Sequence, residues 1–170
     1  MFKAFITNLG KYNEGYLVGE WLSFPCDPSE IQEVLHKIGC DQPGYEEYFF
    51  TDYEEEGCLF NPADYFEEYD TLEVLNELAE ALEDIERAGD LKQLIAYLES
   101  SGETLQYAVD HYTDITCFYE EQTLEDVAYM LVEECYDLPE IAQRYFDYEA
   151  FARDLGFDGY IETSYGVICL

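Results

Sequence analysis

The sequence has very few basic residues: seven Lys and Arg stand against 40 Asp and Glu, which gives a formal net charge of -33. Proteins that bind phosphate groups need Lys and Arg, so this scarcity argues against direct binding of nucleic acid or of an anionic membrane. A small domain stays soluble with a net charge of only about 2–8, and a larger charge destabilises the compact state by self-repulsion. We therefore expect either a very salty environment or a functional charge whose partner is a basic surface.

Long apolar runs and the common cysteine motifs are also absent. No stretch of about 18 apolar residues occurs, so we expect no membrane span, and the opening MFKAFITNLG lacks the apolar segment of a secretory signal. No two cysteines form the C-x-x-C pair that is typical of zinc and redox sites. These patterns favour reduced thiols in a cytoplasm. The six cysteines are Cys26, Cys40, Cys58, Cys117, Cys135 and Cys169.

The sequence contains no catalytic motif. The zinc-protease pattern H-E-x-x-H, the P-loop, the dinucleotide pattern G-x-G-x-x-G and the EF-hand loop are all missing. The two histidines, His36 and His111, are each expected to be ordinary surface or half-buried residues. With 40 acids, carboxylate pairs of the kind that glycosidases use arise by chance and indicate nothing. We predict that the chain is not an enzyme and that it needs neither a metal nor a cofactor.

Apolar and aromatic residues are plentiful, at 48% and 17% of the chain. Acidic disordered segments lack such residues, because a chain without them cannot offset the entropy lost on ordering. We therefore predict a folded α+β protein with an acidic exterior. The 170 residues fit a chain of small domains.

The first domain, residues 1–61, is predicted to be a small α+β unit. Strands are expected at 2–9, 16–24 and 45–53. The segment GKYNEG between the first two strands is predicted to be a turn. A helix should begin after Asp27, with Pro28 in its first turn and Glu30 completing a capping box, and should end at Gly39.

The middle domain, residues 62–102, is predicted to be helical. One helix is expected at 71–87, with Asp70 and Glu73 as its capping box. Its apolar positions recur at helical spacing and define a buried stripe. These positions are Leu72, Leu75, Leu78, Ala79, Leu82 and Ile85. A second helix, LKQLIAYLES, should follow Asp90.

The third domain, residues 103–170, is predicted to be α+β. Thr123 should cap a long helix, LEDVAYMLVEECY, with Asp126 in the capping box. The helix DYEAFARDLG, which begins at Asp147, should be closed by Gly156. Further elements are expected at 104–112 (helix), 114–120 (strand), 159–162 and 166–169 (a terminal hairpin).

Acids fill two regions that contain no Lys or Arg: seventeen acids lie between positions 38 and 86, and twelve between 93 and 143. The helix at 71–87 carries a row of like charges, and each neighbouring pair destabilises a helix by about 0.2–0.5 kcal/mol. The row comprises Glu73, Glu77, Glu80 and Asp84. A halophilic source is one alternative, but halophilic acidity usually comes with more Asp, and here Glu outnumbers Asp by 26 to 14.

The negative charge of the chain can be compared with that of duplex DNA, which carries one negative charge per about 1.7 Å of helix axis. If all 33 net charges faced one way, they would match about 56 Å of duplex. A compact sphere of this length has a radius of gyration of about 15 Å and cannot present such a line. We therefore expect an elongated chain of small domains.

Two motifs resemble the ArdA family of antirestriction proteins. The segment ITNLGKYNEGYLVGEWLSFP at 6–25 matches the opening pattern of that family, and FDYEAFARDL at 146–155 matches a pattern near its C-terminus. The matching positions of the first motif are Asn8, Leu9, Gly10, Tyr12, Asn13, Gly15, Gly19, Trp21 and Pro25. The resemblance runs the whole length, with the middle matching mainly in acidity and length.

The resemblance implies a function. ArdA proteins mimic B-form DNA, occupy the DNA-binding groove of type I restriction–modification enzymes, and inhibit restriction and often modification. They are encoded on conjugative plasmids and transposons, act in the bacterial cytoplasm, and are elongated three-domain proteins that dimerise through the C-terminal domain. We therefore expect a homodimer whose partner is a type I enzyme. An acidic decoy or chaperone for another basic DNA-binding protein is the alternative.

Specific residues follow from this hypothesis. The predicted mimic acids, which we expect to stand in for phosphates, are Glu46, Glu47, Asp52, Glu54, Glu55, Glu56, Asp64, Glu67, Glu68, Asp70, Glu73, Glu77, Glu80, Glu83, Asp84, Glu120 and Glu121. The resemblance also implies an acidic, tyrosine-containing antirestriction motif within TLEDVAYMLVEECYD at 123–137. Its residues are Leu124, Glu125, Asp126, Tyr129, Glu133 and Glu134.

Overall fold

The computed structural model describes residues 1–57 and 59–170, which form two compact units, Met1–Gly89 and Asp90–Leu170. Each unit combines helices with a small antiparallel sheet, so the mixed α+β composition is confirmed. The predicted middle domain, residues 62–102, extends across the boundary between the two units, and the three-domain division stays a prediction. One of the six cysteines, Cys58, lies outside the described residues.

The sheet of the first unit consists of β1 (Phe2–Asn8), β2 (Gly19–Phe24) and β3 (Tyr48–Glu55). β1 lies in the centre and is antiparallel to both neighbours. Its side chains alternate, with Phe2, Ala4 and Ile6 fully buried on one face and Lys3 and Phe5 half-buried on the other. All three strands were predicted, although β2 and β3 each begin three residues later than expected.

Two short helices complete this sheet layer. The predicted turn in GKYNEG is wrong in part, because α1 (Leu9–Asn13) includes the first four of its six residues. The buried side chain of Asn8 caps α1 by accepting a hydrogen bond from the Lys11 backbone, which makes a helical turn favourable here. α2 (Pro28–Ile38) begins with the predicted capping box of Asp27 and Glu30 and ends at Gly39, whose φ is 83°.

A short 3-10 turn (Pro62–Asp64) precedes α3 (Leu72–Ala88). Every residue of the predicted apolar stripe on α3 is buried. The predicted capping box of Asp70 and Glu73 is wrong, because the Thr71 side chain accepts the hydrogen bond from the Val74 N–H. The Asp70 carboxylate instead accepts a hydrogen bond from the Glu67 N–H at 2.8 Å.

The second unit begins with α4 (Leu91–Ser101) and α5 (Leu105–His111), both as predicted. Its sheet contains β4 (Cys117–Glu120), β5 (Tyr160–Thr163) and β6 (Gly166–Cys169), arranged antiparallel in the order β4-β6-β5. The predicted terminal hairpin is therefore confirmed as β5 and β6.

Three helices complete the second unit: α6 (Leu124–Cys135), α7 (Glu140–Arg144) and α8 (Tyr148–Phe157). α6 begins with the predicted capping box of Thr123 and Asp126. α8 continues past Gly156, so the prediction that this glycine closes the helix is wrong, and α7 was not predicted. The core of this region comprises Val127, Ala128, Ala152, Leu155 and Val167.

In the part of the chain that the structure describes, no helix combines the length and apolarity needed to cross a bilayer.

Candidate functional site

The predicted mimic acids lie at the surface. All of them are exposed except Asp70, which is half-buried, and no Asp or Glu among the described residues is buried. This arrangement follows from the cost of desolvating a carboxylate, which is offset only where a cation or several hydrogen-bond donors are close. Each carboxylate is therefore placed by the element that carries it.

The first group of mimic acids lies on and beside β3. Asp52 and Glu54 are two residues apart on this edge strand, so they share a face and are separated by about 6.8 Å along the strand. Glu55 lies on the opposite face. Glu46 and Glu47 precede the strand.

Glu56 follows β3 and forms an ion pair with Lys3, which also lies opposite Glu54 in the sheet. Its carboxylate lies 2.6 Å from the Lys3 ammonium, and the hydrogen bond from Lys3 lowers the pKa of this carboxyl. The Glu56 charge is therefore already compensated within the chain.

The second group lies in the segment that follows β3. Asp64 is in the 3-10 turn, and Glu67 and Glu68 are in the loop after it. This loop is fixed beside β3, because the Phe50 N–H donates to the Glu68 carbonyl oxygen and the Tyr53 hydroxyl donates to the Glu67 carbonyl oxygen, each at 2.9 Å. The structure thus brings the acids of the loop next to those of the strand.

The third group lies on α3, which is also attached to β3. The backbone N–H of Leu72 donates to the Tyr48 hydroxyl at 3.2 Å, which fixes the start of the helix against the strand. The predicted row of Glu73, Glu77, Glu80 and Asp84 lies on the exposed side.

The α3 row is not uniform. Arg87 forms ion pairs with Glu83 and Asp84 at the C-terminal end of the helix. Glu80 accepts a hydrogen bond from the Asn76 amide at 2.8 Å. Among the described residues, the carboxylates of Glu73 and Glu77 contact no cation. The negative charge of the row is therefore least compensated in its first half.

In the second unit, Glu120 and Glu121 lie at the end of β4. The Lys92 ammonium lies 2.6 Å from a carboxylate oxygen of each, and these hydrogen bonds lower the pKa of Glu121 and raise that of Lys92. Glu121 has a φ of 58°, which is uncommon for a residue other than glycine. These two acids were predicted as phosphate mimics, but the structure shows them neutralised in part by Lys92.

The predicted antirestriction motif lies on α6. Leu124 packs on the core, and its backbone N–H donates to the Glu162 carboxylate at 2.9 Å. The hydrogen bonds from Thr123 lower the pKa of Asp126, which completes the capping box. Glu125, Tyr129, Glu133 and Glu134 are exposed. The motif is therefore a helix with one buried face and one acidic face.

An aromatic residue, Tyr129, also lies on this exposed acidic face of α6. Its ring stacks on that of Tyr148, the first residue of α8, with the ring centroids 3.8 Å apart. Because 49% of Tyr129 stays exposed, the stacked pair presents ring surface to solvent.

Most basic residues are already paired with acids of the same chain, so the remaining surface charge is negative. Six of the seven Lys and Arg lie within 4 Å of an acid of the same chain. The seventh, Lys11, lies over the ring of Tyr45, 5.7 Å from its centroid. The sequence signal for Arg87 was its spacing of three and four residues from Asp84 and Glu83, whereas the pairs of Lys3 and Lys92 join distant segments.

The residues of the opening motif have structural roles. The Asn8 amide is buried and donates to the carbonyl oxygens of Tyr45 and Ile38, at 3.0 and 3.3 Å. A Cβ on Gly10 would lie 2.8 Å from the Tyr45 ring, and one on Gly19 would lie 2.8 Å from the Ile6 carbonyl oxygen. These positions require an amide or a glycine because the chain packs closely there.

Hydrogen bonds are the first cause of a lowered pKa at four carboxyl groups, those of Asp41, Glu56, Glu121 and Asp126. Within the described ranges, no cluster of three His, Cys, Asp or Glu has an arrangement that would hold a metal ion.

Comparison with known protein families gives a match over almost the whole chain. The family model described as antirestriction protein (ArdA) matches residues 4–169 of the 170. No curated protein matches significantly.

Proposed function

Because the chain belongs to the ArdA antirestriction protein family, we propose that it inhibits type I restriction–modification enzymes by occupying their DNA-binding groove as a mimic of duplex DNA. Membership of the family implies antirestriction activity. The mimicry and the type I target are the parts that we propose.

One observation carries the proposal: the acids lie at the surface, and the few cations are engaged within the chain. With 40 acids and seven Lys and Arg, most carboxylates have no cation of their own. A groove that binds DNA is lined by Lys and Arg, which interact with any dense array of negative charge. The chain therefore offers such a groove a competing polyanion.

The mechanism rests on preorganisation. Association of charged surfaces loses affinity when side chains must be ordered on binding. Here the acids are carried by a helix and a strand, and the Tyr48 and Tyr53 hydroxyls attach the helix and the acidic loop to that strand. Complementary charge should also steer the encounter and make it fast at low ionic strength.

The predicted mimic acids differ in how far the chain's own cations compensate them. Glu47, Asp52, Glu73 and Glu77 have exposed carboxylates that form no ion pair among the described residues, whereas Glu54 lies opposite Lys3 and interacts with it. The acids paired with Lys3, Arg87 and Lys92 are partly neutralised. We therefore propose that the first set contributes more to binding than the second.

We also propose that the protein acts as a homodimer in the bacterial cytoplasm and that modification is inhibited together with restriction. The family resemblance implies dimerisation through the C-terminal part of the chain. Exposed apolar side chains in that part support the proposal, since Ile141 and Phe157 are 62% and 82% exposed. Sedimentation at micromolar concentration should give twice the mass of 19.8 kDa.

A charge series tests the mimicry. Glu73, Glu77, Glu80 and Asp84 are changed singly and together to their amides, and inhibition of a purified type I enzyme is measured. Each single change should weaken inhibition less than about fivefold, because an exposed ion pair contributes only about 0.2–1 kcal/mol. All four together should weaken it by roughly 4- to 700-fold on the same scale.

Glu33→Gln, an exposed acid of α2 outside the mimic set, is the matched control and should have the smallest effect. A single change that abolishes inhibition in a folded protein would argue against distributed mimicry. Unaltered inhibition by the fourfold variant would show that the α3 row does not contribute to binding. No inhibition by the unsubstituted, folded protein would move the search to another basic partner, as the decoy alternative expects.

A further inference from the structure

Two cysteines of the second unit lie directly opposite each other in its sheet. Cys117, the first residue of β4, pairs with Cys169, the last residue of β6. Directly opposed residues of antiparallel strands have Cα atoms about 4.5 or 5.5 Å apart, depending on the hydrogen-bonding position. Both separations lie within the roughly 4.4–6.8 Å that a disulfide requires.

The two thiols also point to the same side of the sheet. Side chains alternate along a strand, so Cys169 shares a face with Val167, which belongs to the core formed with α6 and α8. On β4, Cys117 likewise shares a face with Tyr119, which packs against that core. The thiols are therefore neighbours on the inner face, and both residues are half-buried.

Aromatic rings flank this thiol pair. Tyr160 of β5 lies opposite Cys169, and its ring stacks on that of Tyr119 with the centroids 6.5 Å apart. Burial raises the pKa of the Cys117 thiol, and the proximity of Cys169 raises it further. The two thiols are thus partly shielded from solvent, but they lie near the edge of the sheet because β4 is an edge strand.

The other described cysteines lack such a partner in register. The Cys26 thiol is directed at the Asn76 side chain, and Cys40 accepts a hydrogen bond from the Asn8 amide. Cys135 is exposed at the end of α6, near enough to Tyr119 and Tyr160 to raise the pKa of both hydroxyls, so its substitution tests for a competing thiol partner. Cys26 and Cys40 serve as internal controls.

We propose that Cys117 and Cys169 form a reversible redox site that closes to a disulfide by exchange with a small-molecule disulfide such as oxidised glutathione. One thiolate attacks the glutathione disulfide, which forms a mixed disulfide and releases one reduced glutathione. The second thiolate then attacks the protein sulfur of the mixed disulfide and releases the second glutathione. Two protein thiols lose two electrons and two protons, and one glutathione disulfide gains them.

Closure would join the edge strand β4 to the last strand of the sheet. The two cysteines are 52 positions apart, and the enclosed segment contains α6, α7 and α8. Linking a loop of this length restricts the unfolded chain more than the folded one. Oxidation should therefore stabilise the unit that carries the predicted antirestriction motif.

The test uses the full-length protein in buffers of reduced and oxidised glutathione. After alkylation of free thiols, proteolysis and mass spectrometry identify the linked peptides. We expect two thiols per chain to be lost and one linkage, between positions 117 and 169, to appear. The oxidised protein should melt on the order of 10 °C above the reduced protein.

Cys117→Ser and Cys169→Ser should each abolish the linkage and the shift in melting temperature, whereas Cys26→Ser and Cys135→Ser should retain both. The peptide map of the unsubstituted protein shows directly whether Cys117 and Cys169 are linked, even if a variant folds poorly. All thiols remaining alkylatable in the folded protein, or a linkage between any other pair, would overturn the proposal.

Discussion

The α3 acids should make the helix less stable than its amide variants. Replacing Glu77 and Glu80 with Gln removes their repulsion from each other, from Glu73 and from Asp84, and leaves Glu73 in the favourable first turn. The three pairs of the row, at spacings of four, three and four residues, contribute about 0.6–1.5 kcal/mol together. We therefore expect the double variant to be more stable, with a melting temperature about 2–12 °C higher for a unit of this size.

The assay is thermal unfolding followed by circular dichroism at low ionic strength and in 1 M NaCl. The gain should largely disappear in 1 M NaCl, where the screening length is about 3 Å. Glu83→Gln is the matched control: it removes one charge from the same helix but also breaks the ion pair with Arg87, so little net change is expected. A double variant that is no more stable than the original protein at low salt would refute the claim that repulsion between these carboxylates destabilises α3.

Three further predictions concern the framework of the two units. Lys92→Met should destabilise the protein at neutral pH, because it removes the ion pair with Glu121. The difference in stability between the two proteins should shrink as the pH falls through the lowered pKa of Glu121, because the protonated carboxyl no longer attracts the ammonium. Denaturation curves of both proteins in the acid range measure this difference, and a difference that does not change with pH would contradict the prediction. Gly166→Ala should unfold the second sheet, since the φ of Gly166 is 140° and a Cβ there would overlap backbone atoms of β4. Gly156→Ala should instead stabilise the protein by about 0.4–1 kcal/mol, because Gly156 lies in α8 and its added Cβ would have its nearest contact at 3.9 Å. Urea titrations measure both changes. Tyr48→Phe removes the acceptor at the start of α3 and should cost about 0.5–1.5 kcal/mol in the same titration, and an unchanged midpoint would show that this hydrogen bond does not hold the helix.

Local signals in the sequence were sufficient for most helix boundaries. The three-residue spacing of Thr123 and Asp126 predicted the capping box that the structure contains. The same spacing misled at Asp70 and Glu73, because Thr71 is an equally good cap and the Asp70 carboxylate is held by the Glu67 N–H. Where two capping residues are adjacent, the choice depends on the preceding loop, which sequence spacing does not describe.

Interactions between distant segments were beyond this reasoning. Lys92 pairs with acids 28 and 29 positions away, and no periodicity within either segment indicates it. The helix in place of a turn after Asn8 has a similar origin, since that side chain is buried by contacts with residues 30 and 37 positions away. The acidity of the candidate site could therefore be predicted, but its division into compensated and uncompensated carboxylates required the fold.

The most direct test of the central claim is whether the protein and duplex DNA exclude each other from one type I methyltransferase core. The core is saturated with labelled duplex, and the unlabelled protein is titrated in at several salt concentrations. Mimicry predicts complete displacement of the duplex, with an apparent affinity for the protein that falls as salt rises. A ternary complex in which the protein and the duplex are bound together would contradict mimicry of DNA.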